Sequence, residues 1–285
     1  VPTISQFKQK YFTKIDALDL ELLISAAIKK PREFVLTHPE HRFTKNQKLK
    51  IKNFIARRRC GEPIAYILGQ KEFYGLEFKV DKNTLIPRPE TELIVENVIK
   101  LQPKNTTIID VGTGSGNIII SLAKSLKEKN LFVATDISLQ ALNIAKQNAK
   151  RHKLNKKIKF LQGNLLEPIL NTKSYELKAK SYFIVANLPY LSHKIYNSVP
   201  RDVKNYEPRS ALLSKNNGLE HYKKLFTQIN KISKSYKLKA ISCFLEFSPE
   251  QKNQLKKAIQ VAFPKGNFTF FKDLAGKFRI VQIRL

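Results

Sequence analysis

A chain of 285 residues, 42% of them apolar, can build one large domain or a catalytic domain with a small accessory one, and it excludes wholesale disorder. No apolar run approaches the roughly 18–20 residues of a membrane helix, and the N-terminal stretch lacks the unbroken apolar core of a secretory signal. Lys and Arg number 52 against 23 Asp and Glu, a formal charge of +29 that favours polyanionic over cationic partners. Two stretches, Lys45 to Arg59 and Lys146 to Lys159, carry seven basic residues each. They suit nucleic acid, or an acidic or ribosome-associated partner. Drift toward lysine on solvated helix faces explains them as well, because no aromatic residues are regularly interleaved. Cys60, Cys243 and the five histidines (His38, His41, His152, His193, His221) show no metal-ligand spacing. Isolated buried thiols, surface imidazoles, a reducing compartment and no metal are therefore expected.

Up to about Arg59 the periodicity is helical. In Ala17–Ile28, Leu18, Leu22, Ile24, Ala26 and Ile28 crowd one broad face and Pro31 is expected to stop the helix. Lys48–Arg59 repeats the pattern with Leu49, Ile51, Phe54 and Ile55. Lys71–Val80 then reads as a hairpin around Gly75, Asn83–Thr91 as a rigid Pro-rich connection, and the run from Thr91 to Leu101 as a helix. From Thr107 onward strands and helices alternate. Strands are predicted at Thr107–Val111, Leu131–Thr135, Ile158–Gln162, Tyr182–Ala186, Lys239–Phe247, Phe268–Lys272 and Arg279–Ile283. Helices are predicted at Gly116–Glu128, Leu139–His152, Leu219–Lys234 and Pro249–Phe263. Such alternation predicts a doubly wound α/β sheet with its ligand site at the strand C-termini. The last two strands are joined by too short a loop for a crossover, so they must pair antiparallel. Three regions are expected: helical 1–68, a hairpin linker over 69–90, and a catalytic α/β domain over 91–285.

The first β-strand of that domain ends at Asp110 and enters Gly112-Thr113-Gly114-Ser115-Gly116. Glycines permit the tight turn and let a ligand approach the backbone, while the first N–H groups of the following helix point into the turn. Asp136 closes the next strand and can accept the hydroxyls of a ribose. A nicotinamide dinucleotide would call for GxGxxG, which this is not. The acid before the glycines suits a cofactor without a pyrophosphate, and S-adenosylmethionine, with its cationic methionine amine, fits better than NAD. An ordinary strand–helix turn is the plainer alternative.

Asn187-Leu188-Pro189-Tyr190 follows the fourth strand, at the same sheet edge. A conjugated –NH2 nitrogen is a poor nucleophile because its lone pair is delocalised. Two acceptors that take both hydrogens would turn that lone pair toward a methyl donor. The Asn187 side-chain oxygen and the Leu188 carbonyl are the candidate acceptors; Pro189 fixes the turn, and Tyr190 is expected to pack on the target's flat face. Taken as a bare tetrapeptide, the same residues could be a plain loop with a turn signal.

With these residues in view, the chain resembles the HemK/PrmC family, the glutamine-N5 methyltransferases of peptide chain release factors. Gly61–Gly75 (GEPIAYILGQKEFYG), Leu85–Glu92 (LIPRPETE), Asp110–Gly116 (DVGTGSG) and Asn187–Tyr190 (NLPY) carry the likeness. Tyr206–Arg209 with Ala211-Leu212, and Asp273–Gly276, add to it. The resemblance implies a class I methyltransferase sheet and a helical N-terminal domain that grips the release factor while its GGQ glutamine enters the cleft. It places S-adenosylmethionine against Asp110, Gly112–Gly116, Asp136, Asn164, Leu165 and Asn187, and the target amide against Asn187–Tyr190. Arg88 and Glu90 would border the cofactor pocket, or form a salt link that holds the linker. The chain departs from the family at Leu188, where the first proline of NPPY usually stands. Asn164-Leu165 stands where an acid near the adenine is common, and Leu245–Ser248 replaces a more glycine-containing turn. NLPY also occurs in rRNA adenine dimethyltransferases, so N6-adenine methylation of rRNA or DNA is the alternative activity. Those enzymes place the cofactor turn near the N-terminus, whereas here 109 residues precede Asp110. A non-catalytic binding module is the third reading, and the intact turn, Asp136 and Asn187 speak against it. A monomer in the cytoplasm or an organelle matrix is expected.

Overall fold

The computed structural model describes residues 2–127, 129–171, 181–236, 238 and 240–285. The chain divides into two compact units: Val1–Gln70 with Pro200–Tyr206, and Lys71–Val199 with Glu207–Leu285.

In the first unit, helices α1 (Ile4–Tyr11), α2 (Ala17–Ile28), α3 (Arg32–Thr37), α4 (Lys45–Arg59) and α5 (Ile64–Leu68) surround one apolar core. Thr3 with Gln6, and Thr44 with Gln47, form reciprocal capping boxes that start α1 and α4. The second box sets the start of α4 at Lys45, three residues before the apolar stripe suggests. On α2 the buried stripe is Leu20, Leu23, Ile24, Ala27 and Ile28. This is the i, i+3, i+4, i+7, i+8 series of a helix face; Leu18, expected in it, is 49% exposed. Likewise α4 buries Ile51 and Ile55 and leaves Leu49 70% exposed. Nor does Pro31 end α2: Lys29 adopts a left-handed conformation (φ 57°) and donates its N–H to Ser25, and Pro31 opens α3. Buried Glu21 receives Lys8 Nζ at 2.7 Å and Arg32 at 2.8 Å, which keep its carboxyl below the usual range despite burial. Cys60 is exposed, contrary to the expectation of a buried thiol, and its carbonyl accepts from the Tyr206 hydroxyl.

β1 (Gln70–Phe73), which lies in the second unit from Lys71 on, and β2 (Leu76–Lys79) form the expected hairpin. Its turn residues Tyr74 and Gly75 both have positive φ, 51° and 68°, as a tight two-residue hairpin requires. Seven strands make the main sheet: β3 (Thr107–Val111), β4 (Leu131–Asp136), β5 (Ile158–Gln162), β6 (Ser181–Ala186), β7 (Ala240–Glu246), β8 (Asn267–Lys272) and β9 (Phe278–Arg284). Their order is β5-β4-β3-β6-β7-β9-β8. The first five in space run parallel, and β9 pairs antiparallel with both β7 and β8. Every residue of β3 is buried, as a central strand covered on both faces must be. Ile108, Phe132, Val185 and Phe244 face one apolar cluster with α6 (Glu92–Lys100), α7 (Asn117–Ser125) and α8 (Leu139–Arg151). Ile109, Val133, Ile184 and Cys243 face the other, with the helices Glu220–Tyr236 and Lys252–Ala262. The predicted end of α7 at Glu128 and the first residue of the predicted strand at Lys239 lie outside the described residues. Strand order reverses between β3 and β6, which opens a crevice at their C-terminal ends.

Candidate active site

A cleft of about 320 Å³ occupies that crevice, within the range of small-molecule sites. Gly112, Thr113, Gly114, Ser115, Asp136, Asn164, Leu165, Asn187, Leu188, Pro189 and Arg88 line it. Thus the glycine turn, the second-strand acid, the loop after β5 and the NLPY loop converge as the sequence suggests. Asp110, Gly116, Glu90 and Tyr190 are not among the lining residues.

Backbone bonds build one wall. The N–H groups of Gly112 and Thr113 both donate to the Thr135 carbonyl on β4, at 2.9 and 3.0 Å, which pins the turn to the neighbouring strand. Asp136 accepts from Gly114 N–H through Oδ2 and from Ser138 N–H through Oδ1, each at 2.9 Å, and the carboxylate keeps accepting capacity for a ligand. Gly112 sits at φ 72°, and a Cβ there would lie 3.1 Å from Leu188 Cδ2, so the turn and the NLPY loop approach as closely as glycine allows. Gly116 has a packing role: a Cβ would meet Ile120 at 3.0 Å and Ala145 at 3.1 Å. Behind the turn, fully buried Asn148 donates to Ser115 O at 2.8 Å and exchanges hydrogen bonds with Lys79 on β2, tying the glycine loop to the hairpin. In the sequence Asn148 is one polar residue among many on α8, and nothing there distinguishes it.

Asp110 lies beneath the turn, fully buried. Thr113 donates to its Oδ2 at 2.6 Å, and its Oδ1 has no partner among the described residues. Burial pushes its carboxyl up to about 7, and the nearby Asp136 adds to the effect. Burial likewise raises Asp136 above the usual carboxylate range. An orphaned carboxyl oxygen behind a cleft that holds a second acid of raised pKa suits a cationic ligand, whose charge would ease both ionisations. The residues therefore fit S-adenosylmethionine, with Asp110 acting through its field from beneath the turn.

Side chains build the other wall. Asn187 follows β6 and donates its side-chain Nδ2 to Thr91 Oγ1 at 3.0 Å. Thr91 in turn donates to Glu246 Oε2 at 2.6 Å, and the Tyr190 hydroxyl donates to Glu246 Oε1 at 3.1 Å. The Tyr222 hydroxyl closes the network on the Glu246 carbonyl. Glu246 ends β7 and is wholly buried; burial pushes its carboxyl up to about 7 against the pull of its two hydroxyl donors. With Nδ2 held by Thr91, Asn187 Oδ1 has no donor among the described residues. Nor does any loop N–H among them donate to the Leu188 carbonyl. Tyr190, expected on the face of the target group, donates its hydroxyl to Glu246, and burial raises that hydroxyl well above the usual phenol value. Its carbonyl accepts from Gln251 Nε2 at 2.7 Å, which fixes the end of the loop.

Arg88 borders the cleft and pairs with Glu207 at 2.5 Å; Glu207 also accepts from Ile86 N–H at 3.1 Å. Glu90, grouped with Arg88 by the sequence, stands outside the lining and 4.0 Å from Arg279. Residues the sequence did not single out complete the lining, among them Asn83, Thr91, Ser138, Ser210 and His221. His221 is half-buried, and desolvation lowers its pKa below the ordinary imidazole value, which favours the neutral ring, so it is no surface imidazole. The signal that could have revealed Glu246 is an acid inside the apolar run Phe244–Phe247. Among the described residues no His, Cys, Asp and Glu cluster could hold a metal ion, and no helix is long and apolar enough to cross a membrane.

Known proteins bear on this geometry. A methyltransferase-domain family model matches residues 102–272, and a PrmC N-terminal domain model matches residues 3–69. The release factor glutamine methyltransferase of Dictyoglomus turgidum is 34% identical over 93% of this chain and 90% of its own length. That of Buchnera aphidicola subsp. Schizaphis graminum is 38% identical over 92% of this chain and 90% of its own. Among solved structures, the catalytic domain of human METTL16 in complex with MAT2A 3′UTR hairpin 1 has a TM-score of 0.59 at 20% identity, covering 92% of this chain and 90% of that one. The N-terminal domain of human METTL16 in complex with SAH gives 0.53 at 19% identity, covering 96% and 95%. At such identities the likeness speaks to the fold alone. Identity above 30% along nearly the whole of several curated relatives speaks to more: the chain belongs to the release factor glutamine methyltransferase family.

Proposed function

We propose that this enzyme transfers the methyl group of S-adenosylmethionine to the side-chain amide nitrogen, N5, of the GGQ-motif glutamine in class I peptide chain release factors. The observation that carries the reading is the Asn187 Oδ1, which has no donor among the described residues and lies in the same cleft as the glycine turn. One of its two amide hydrogens is given to Thr91, which fixes the orientation that leaves Oδ1 as an acceptor for a ligand.

When bound, S-adenosylmethionine supplies an electrophilic methyl group on a sulfonium. Gly112, Gly114 and Asp136 would hold the donor, with Asn164 and Leu165 toward the adenine and the Asp110 carboxylate balancing its charge. Asn187 Oδ1 and the Leu188 carbonyl would accept the two hydrogens of the glutamine amide. That grip opposes delocalisation of the nitrogen lone pair and directs it at the methyl group. Pro189 restricts Leu188 to extended backbone, which keeps its carbonyl aimed. Catalysis is then orientation plus electrostatics, and no base of unusual strength is needed, because the product nitrogen turns acidic only after methylation. A leucine in place of the usual proline at 188 is tolerated, because the contact is through the backbone.

The helical region 1–68 would recognise the release factor, with 69–90 as linker and 91–285 as the catalytic part. Action as a monomer in the cytoplasm accords with a translation-factor substrate. Incubation with methyl-labelled S-adenosylmethionine and a mixture of release factor and rRNA tests the reading. Label on the GGQ glutamine, absent when that glutamine is changed to alanine, is expected; label in rRNA would favour the adenine alternative.

A further inference from the structure

The oxygen and nitrogen of an asparagine amide are nearly the same size, so the shape of a cleft cannot decide which of them faces a ligand. Only hydrogen-bond partners can. The difference is decisive for an acceptor role, because a reversed Asn187 would present an NH2 group to the substrate's own NH2. Here polarity propagates from Glu246. In its ionised form the carboxylate only accepts, so Thr91 and Tyr190 then both point their hydroxyl hydrogens at it. The Thr91 oxygen is left to accept, and it takes a hydrogen from Asn187 Nδ2. Thr91 immediately precedes α6, yet its hydroxyl makes no capping bond to that helix, and the residue is 1% exposed. The hydroxyl is committed to the network.

We propose that Thr91, oriented by Glu246, is the positioning residue that sets which end of the Asn187 amide faces the target nitrogen. The inference rests on Asn187 being an acceptor for the substrate amide, and it adds how that acceptor is kept facing the right way. Thr91→Val keeps the side-chain shape and removes the hydroxyl, freeing the Asn187 amide to turn. The expected result is a kcat lowered about 100-fold, the scale of a small misplacement of a reacting group, with the KM for the release factor and the Kd for S-adenosylmethionine unchanged. Thr91→Ser restores the hydroxyl and should restore kcat, which a purely space-filling role would not require.

Wild-type kcat in Thr91→Val, equal losses in the valine and serine variants, or a parallel loss of cofactor affinity would each overturn the proposal. Should the valine variant fail to fold, side-chain amide NMR of the unaltered protein decides. The Asn187 NH2 resonance, identified by its disappearance in Asn187→Ala, should show a hydrogen protected from exchange. Fast exchange of both hydrogens would overturn the proposal. Asn187→Ala separates the two levels of the argument. If that variant retains methyl transfer, the reading of Asn187 itself fails. If it is inactive while Thr91→Val is fully active, only the role of Thr91 fails.

Discussion

The two walls of the cleft are built in opposite ways. The cofactor wall is made mostly of backbone: a glycine turn between β3 and α7, hung from the Thr135 carbonyl and clipped by Asp136. The wall carrying Asn187 is a side-chain network that joins Thr91, Asn187, Tyr190, Tyr222 and Glu246, residues as much as 155 positions apart. A backbone wall depends on a short contiguous motif and resists single side-chain changes, whereas a network depends on every member and on the direction of each hydrogen bond. Single substitutions should therefore be graded and confined to binding on the first wall, and steep and confined to catalysis on the second.

The largest effect is expected at Asn187. Asn187→Ala removes the acceptor proposed for the target amide, so methyl transfer should fall at least about 100-fold while S-adenosylmethionine binding, measured by calorimetry, stays largely intact. Equal loss of both would erase the contrast between the walls. Next comes Asp136→Ala, which removes a charged acceptor from the first wall. Cofactor affinity should weaken by roughly 10-fold to 100-fold, the range of a hydrogen bond to a charged group. An unchanged Kd would count against a ribose contact.

A smaller, stability-linked effect is expected at the pair that holds Arg88. Glu207 is almost fully buried and Arg88 is a third exposed, so Arg88→Ala strands a buried carboxylate whose pairing solvent already partly screens. A loss of about 2 kcal/mol, read by denaturant unfolding, follows once that exposure is discounted. No loss would mean that the pair merely decorates the wall. The smallest effect belongs to Leu188→Pro, which retains the carbonyl; kcat should stay near the unaltered value, and a large fall would show that the leucine side chain has a part of its own.

The first wall should also respond to pH, read as cofactor affinity. Asp110 is raised from an ordinary 3.8 to about 7 by burial, so near pH 6 it is mostly protonated and carries no charge to offer a cationic ligand. Cofactor affinity should thus be weak at acid pH, strengthen as pH rises through about 7, and level off above. Without cofactor the same group contributes stability below about pH 4 that is lost as pH rises through 7. Asp110→Asn should flatten the affinity profile; an unaltered slope would place the titrating group elsewhere.

How much of this was visible beforehand follows the same division. The strands were readable because each is a short β-prone run closed by turn residues, and the antiparallel last pair followed from loop length alone. The glycine turn, Asp136 and Asn187 were readable because each stands at a strand end, where this class of sheet keeps its ligands. Thr91 and Glu246 were not, because one looks like the start of a helix and the other like a stray acid in a buried strand; only the folded chain makes them neighbours. Apolar runs also misled where several faces of a helix were eligible. Leu18 and Leu49 fit a stripe as written, but the 3.6-residue period places the buried seam on Leu20 and Leu23 in α2 and on Ile51 and Ile55 in α4.

The central claim is geometric, and a crystal structure of the enzyme with S-adenosylhomocysteine and a GGQ-containing release factor fragment tests it most directly. The glutamine amide nitrogen should lie about 2.7–3.2 Å from both Asn187 Oδ1 and the Leu188 carbonyl oxygen, with its lone pair directed at the sulfur. An amide nitrogen bound elsewhere in the cleft, with both acceptors turned from it, would contradict the account.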